Sequence, residues 1–278
     1  MKKEILVVIS VALVIVIVGC GLWLGWYAVD SHHQIEAFAG LSQEFVLEQQ
    51  ETGEQPSGTA PTEETSIVTL AVDDSNTPPR HDLAALQAEN SDCEGWLTIP
   101  DTGIDYPIMH TSDEPEHYLR RDFHGQSSSG GTPFLDGRNT AQVESQNLIV
   151  YGHNMLNGSM FKPLINYLDA DFRETHQDIY LELGDTQYRY QVLAVLETTV
   201  ESPIYRYTDL SDPAVESGFR SALFQAANLD VIHHTEGYLT LSTCGDWGGD
   251  TRVLVVARLA EVVGGVNPHS AFVPWDTS

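Results

Sequence analysis

A chain of 278 residues, 42% of them hydrophobic, is long enough for one ample domain with accessory segments and apolar enough for a real core. It carries 40 Asp and Glu against 13 Lys and Arg, a formal net charge of −27. That acid excess argues against nucleic acid, whose phosphates are met by Lys and Arg, and against an anionic membrane surface as the main partner.

The chain opens with a membrane signal. Lys2 and Lys3 precede residues 5–29, a stretch of 25 residues with no charge. About 20 apolar residues suffice to span the hydrocarbon core as a helix. Trp23, Trp26 and Tyr27 sit at the far end, where an interfacial aromatic belt belongs. The two lysines favour a cytoplasmic N-terminus (1–4) and an extracellular remainder. A cleaved signal peptide calls for a shorter apolar region and a small-residue cleavage site. A lipoprotein signal at Gly19-Cys20 calls for a polar turn after the cysteine, yet the apolar run continues. The reading is an uncleaved signal anchor, with Cys20 a small apolar residue inside it.

Residues 30–80 read as an extracellular helix and flexible linker. Ile35, Phe38, Leu41, Phe45 and Val46 fall loosely on one helical side. From 51 to 79 the chain turns to Thr, Ser, Pro, Gly and acids, the composition of a spacer that lets a domain work away from the bilayer. The folded domain, 81–262, starts with a short helix that turns Leu83 and Leu86 inward. Eight strand signals follow, at 95–100, 104–110, 131–137, 147–153, 178–184, 188–200, 238–244 and 251–263, rich in Ile, Val, Leu, Tyr and Thr and bounded by Gly, Asp, Asn or Pro. Helical patches interrupt them at 159–176 and 212–229, the second with Phe219, Leu223 and Phe224 as its apolar side. Eight short strands and few helices imply a mainly β domain, a closed barrel or a sandwich. The tail, 263–278, lacks periodicity and is expected to be loosely held.

Chemistry concentrates at the last two strands. If they form a hairpin symmetric about Gly248, Cys244 faces Arg252, with Cβ atoms about 5 Å apart. A guanidinium there favours the thiolate and can donate to an oxyanion formed beside the sulfur. On the hairpin alone a structural cysteine, with the arginine bonded to Asp246 or Asp250, explains the pattern slightly better. A nucleophilic thiol needs a proton partner, and His153, ending an apolar strand as Tyr-Gly-His, is the candidate. His32 and His33 lie by the membrane, and His233 and His234 read as surface residues. His110, His117 and His124 recur every seven residues, but Pro115 and Gly125 interrupt any helix. No zinc, calcium, P-loop, dinucleotide or hydrolase-elbow motif occurs, so no metal and no cofactor are expected. Cys93 and Cys244 form either a disulfide or one buried and one reactive thiol.

Together the Tyr151-Gly152-His153-Asn154-Met155 block, the Thr240-Leu241-Ser242-Thr243-Cys244 block, Arg252 and an outward-facing anchored domain resemble a sortase, a cysteine transpeptidase that joins surface proteins to the cell wall of Gram-positive bacteria. Gly95-Trp96-Leu97, Ile104-Asp105-Tyr106-Pro107, Gly131-Thr132-Pro133-Phe134-Leu135-Asp136 and the patch at 212–228 resemble class B. The resemblance covers about 81–259. It implies a closed eight-stranded barrel with Cys244 as nucleophile, His153 as proton donor and acceptor, and Arg252 as oxyanion stabiliser. Ser242, Thr243, Tyr151 and Asn154 become substrate-binding candidates, Glu236 an acidic neighbour, and Cys93 a small buried residue. The implied partners are surface proteins with a C-terminal sorting signal of Asn-Pro-x-Thr type, and an amine on a lipid-linked cell-wall precursor or on a pilin lysine. A barrel retained as a non-catalytic adhesion scaffold is the reading from another class.

Overall fold

Alternation of side chains along β7 (Tyr238–Cys244) fixes how the sheet is filled. Leu239 and Leu241 enter the barrel core, while Tyr238 packs with a second cluster on the outer face. The computed structural model describes residues 2–47, 77–140, 142–227, 235–245 and 249–263. All eight expected strands form: β1 (Cys93–Ile99), β2 (Ile104–Met109), β3 (Phe134–Leu135), β4 (Asn147–Tyr151), β5 (Asp178–Leu183), β6 (Thr186–Thr199), β7 and β8 (Thr251–Val263). They close into a barrel in the order β1-β2-β3-β4-β7-β8-β6-β5. A closed barrel leaves no unpaired sheet edge. Neighbours are antiparallel except β2–β3 and β4–β7, and the parallel β4–β7 pair carries the site.

The barrel interior holds Leu97, Ile108, Leu148, Leu181 and Val255, while Trp96 turns to the outer face against His81. Outside it, α4 (Pro213–Ala227) sets Phe219 and Leu223 against Tyr238, Leu254 and Val256. Phe224, expected on that apolar side, is 44% exposed, because one residue past Leu223 turns it about 100° off the buried stripe. The patch at 159–176 divides into a 3-10 helix, Lys162–Leu168, and α3 (Ala170–Thr175). The short helix α2 (Leu83–Glu89) is capped by Asp82, whose carboxylate accepts from the amide of Ala85.

The N-terminal helix α1 (Lys2–Glu44) is continuous and holds a segment apolar enough to cross a membrane. Its last turns dock on the barrel through Ser31, Gln34, Phe38, Leu41 and Phe45, a stripe with spacing 3, 4, 3, 4. Phe38, Leu41 and Phe45 are the expected members; the polar Ser31 and Gln34 extend the stripe where apolar periodicity does not reach, and Ile35 is 45% exposed. Gln34 donates to Ser128, the Ser129 hydroxyl to Asp30, and Ser42 to Asp105 at 2.6 Å.

The spacer expected at 51–79 lies mostly outside the described residues, but the residues flanking it are joined. Val46 bridges His81, the Leu47 amide donates to the Arg80 carbonyl at 2.7 Å, and the Asp82 amide to the Phe45 carbonyl at 2.7 Å. The buried His81 is held by Glu182 at 2.8 Å and stacks on Trp96. The described residues on either side of 48–76 thus lie together, and the last turns of α1 pack directly on the barrel. Replacing residues 48–76 by two glycines is expected to leave Tm unchanged or higher, since loop closure alone favours the shorter loop by roughly 1.5 kcal/mol. A thermal melt of the shortened chain checks this; a fall of several degrees would show that 48–76 contributes packing. The tail from 264 onward and His233–His234 lie outside the described residues.

Candidate active site

The β7–β8 ladder pairs Cys244 directly with Arg252, and every pair back to Tyr238–Arg258 stays in one register. The amide of Gly245 donates to the Thr251 carbonyl at 3.0 Å and seals the end of the ladder. The facing expected from hairpin symmetry is thus realised, although residues 246–248 lie outside the described set. Arg252 donates through Nη1 to the carbonyls of Thr251 (2.8 Å) and Gly249 (3.2 Å). A guanidinium carries five N–H donors in a fixed fork, and among the described residues these bonds occupy Nη1 alone.

The parallel β4–β7 ladder ends with Tyr151 opposite Ser242. The Gly152 amide then donates to the Ser242 carbonyl (3.1 Å), and the Thr243 hydroxyl to the Gly152 carbonyl (2.8 Å). His153 follows two residues past the end of that ladder and lines the same groove as Cys244. Position 152 must be glycine, because a Cβ there would lie 2.5 Å from the Phe161 ring. Asn154 donates to the Cys244 carbonyl at 2.8 Å and ties the histidine segment to the cysteine's own backbone.

His153 is bound through Nε2 to the Leu119 carbonyl at 2.8 Å. A carbonyl only accepts, so Nε2 carries the proton and the neutral ring keeps its lone pair on Nδ1. Burial lowers the imidazole pKa below its ordinary value; the Leu119 bond works the other way, and the Arg120 charge adds to the lowering. Neutral imidazole therefore dominates at pH 7.

A groove of about 450 Å³ opens over these groups, lined among others by Leu119, Tyr151, His153, Tyr205, Cys244 and Arg252. Ser242 and Thr243 also line it, yet both are nearly buried, and Ser242 shares a hydrogen bond with the Tyr205 hydroxyl (2.8 Å). Asn154 is engaged on backbone carbonyls and is a positioning group for the cysteine segment. Glu236 precedes the opposite end of β7 and stays exposed, far along the strand from Cys244. Cys93 is 1% exposed, its thiol pushed up to about 12 by burial, with the Glu94 charge adding to the rise. Cys20, Cys93 and Cys244 are all free thiols, so Cys93 and Cys244 are not bridged. Leu119 and Tyr205 were not singled out in the sequence: one acts through a backbone carbonyl and the other sits in an isolated 3-10 turn, Pro203–Arg206.

The Sortase domain family model matches residues 97–260. Sortase B of Listeria monocytogenes is 39% identical over 170 residues, covering 59% of this chain and 68% of that protein. Sortase B of Staphylococcus aureus is 29% identical over 191 residues, covering 66% and 76% respectively. Among solved structures, sortase B from B. anthracis superposes with a TM-score of 0.63 at 28% identity, covering 84% of this chain and 99% of that one. A Staphylococcus aureus sortase B–substrate complex gives 0.58 at 27% identity, covering 64% and 84%. With the match spanning barrel, hairpin and histidine strand alike, the chain belongs to the sortase family, in its class B branch.

Proposed function

We propose that this chain is a membrane-anchored transpeptidase that cleaves a sorting signal of Asn-Pro-x-Thr type in a secreted protein and transfers the new carboxyl end to an amine of a lipid-linked cell-wall precursor. The observation that carries the reading is the direct Cys244–Arg252 pairing, with His153 lining the same peptide-sized groove. Residues 5–29 serve as the signal anchor and hold the catalytic domain, 81–262, outside the cell.

In this mechanism the Cys244 sulfur, as thiolate, attacks the threonine carbonyl, and its proton resides on His153 Nδ1. Arg252 donates to the tetrahedral oxyanion. Collapse breaks the C–N bond, His153 gives the proton to the departing amine, and a thioester remains on Cys244. The incoming amine then attacks the thioester, His153 takes its proton, and the thiolate leaves with the new amide formed. The Nε2–H bond to Leu119 keeps Nδ1 as the working nitrogen throughout.

The test is cleavage of a quenched Asn-Pro-x-Thr peptide, with mass detection of the acyl-enzyme at Cys244 and of a ligated product when a short peptide amine is added. Cleavage with a thioester-sized adduct supports the reading. A full panel of sorting peptides giving neither turnover nor adduct overturns it.

A further inference from the structure

The groove has a wall that neither the thiol nor the imidazole explains. Tyr151 and Tyr205 stack there with ring centroids 6.1 Å apart and planes 25° apart, although they arrive from different parts of the chain. Tyr151 ends β4, and Tyr205 belongs to the 3-10 turn between β6 and α4. What joins them is Asp136, just past β3 and only 9% exposed. Its Oδ1 accepts from the Arg138 amide (3.0 Å) and Nε (2.8 Å), and its Oδ2 from Arg138 Nη2 (2.7 Å) and the Tyr151 hydroxyl (2.8 Å). The same Nη2 donates to the Tyr205 carbonyl at 2.8 Å. The Tyr205 hydroxyl in turn meets Ser242, two residues from Cys244.

We propose that Asp136, acting through Arg138, is a positioning residue for peptide recognition: it clamps Tyr151 and Tyr205 into a fixed aromatic wall against which the sorting peptide lies. The inference rests on the sorting-peptide reading above. Asp136 touches neither the reacting atoms nor His153; its work is to hold together two rings that come from a strand end and a distant 3-10 turn. Charge-assisted bonds suit that task, because a bidentate carboxylate–guanidinium pair fixes orientation as well as distance. Burial alone would raise the Asp136 carboxyl, but the Arg138 bonds, followed by the Tyr151 hydroxyl, hold it below the usual carboxylate range. The clamp is therefore ionised at any working pH. Rigid walls reduce the ordering that binding must impose, so the loss on removing the clamp falls on peptide affinity.

The experiment measures peptide KM and kcat together with the rate at which a small methanethiosulfonate reagent modifies Cys244, in Asp136→Asn and Arg138→Gln, all well below each variant's Tm. The expected result is a rise in KM of about tenfold in both, with kcat and thiol modification within about twofold of wild type. The double variant should be no worse than the poorer single one, since both cut the same link. An unchanged KM overturns the proposal while leaving the transpeptidase reading intact. So does a parallel loss of kcat and thiol reactivity, which is what a general loosening of the fold produces. If Asp136→Asn does not fold, Arg138→Gln decides alone: its side chain is half exposed and its removal leaves β3 and β4 paired. A wild-type enzyme that cleaves no peptide refutes the reading beneath the inference, and the two failures are thereby distinct.

Discussion

Cys244→Ala is expected to lower peptide kcat/KM by at least 10³-fold, about 4 kcal/mol of transition-state stabilisation, and to abolish the acyl-enzyme adduct. The size follows from the covalent route: alanine leaves Arg252 and His153 in place but removes the atom to which the acyl group is transferred. Folding is expected to survive. The β7–β8 and β4–β7 ladders are backbone structures, and Asn154 bonds the carbonyl of residue 244, which the substitution keeps. Tm and the near-ultraviolet spectrum should therefore match wild type. Cys93→Ala is the control: a 1% exposed thiol held at about 12 supplies no thiolate at neutral pH, so turnover should stay within about twofold. A thiol-specific reagent applied to the folded protein should mark Cys244 first. Turnover retained in Cys244→Ala, or lost in Cys93→Ala, would contradict the assignment.

Much of this arrangement is legible in the sequence, and its gaps have physical causes. The eight strands could be read because each is a short run of β-branched and aromatic residues with clear punctuation. The Cys244–Arg252 facing could be read because a hairpin's register is local: the two residues are eight apart, and the ladder between them carries no bulge. His153 could be placed at a strand end but not in the same groove as Cys244, since the parallel β4–β7 pairing joins segments far apart in the chain and leaves no local trace. Residues that act through backbone atoms or bridge separate loops were beyond reach. The Leu119 carbonyl that sets the His153 tautomer has no side-chain signature, and the Asp136–Arg138–Tyr205 link depends on a turn arriving from elsewhere. The docking stripe of α1 is legible in part, through Phe38, Leu41 and Phe45, and its upper members are hidden for a simpler reason. Two of its buried members, Ser31 and Gln34, are polar, and a hydrophobic pattern passes over them.

His153→Ala is expected to reduce kcat/KM by roughly 10³-fold, within the range typical of a positioned general acid and base. Its pH behaviour makes a sharper statement. The folded-state pKa of His153 lies below the ordinary 6.5, chiefly through burial, with the Arg120 charge adding to the lowering. On acidification the unfolded chain takes up this proton before the folded one does. The contribution to stability is therefore complete above about pH 6.5 and is lost as pH falls through the lower folded pKa. His153→Ala lacks that loss, so the difference in stability between wild type and variant should shrink in wild type's disfavour only on the acid side of 6.5. The acid limb of kcat/KM in the wild type should likewise have its midpoint below 6.5, because protonation of the free enzyme's imidazole removes the species that exchanges protons with Cys244. Arg120→Gln removes a neighbouring cation that resists protonation, and should move that limb to higher pH while keeping its shape. An imidazole titration followed by NMR with a midpoint at or above 6.5 would show that burial does not set the proton affinity of this histidine, and an acid limb unmoved by Arg120→Gln would show that the Arg120 charge does not contribute to it.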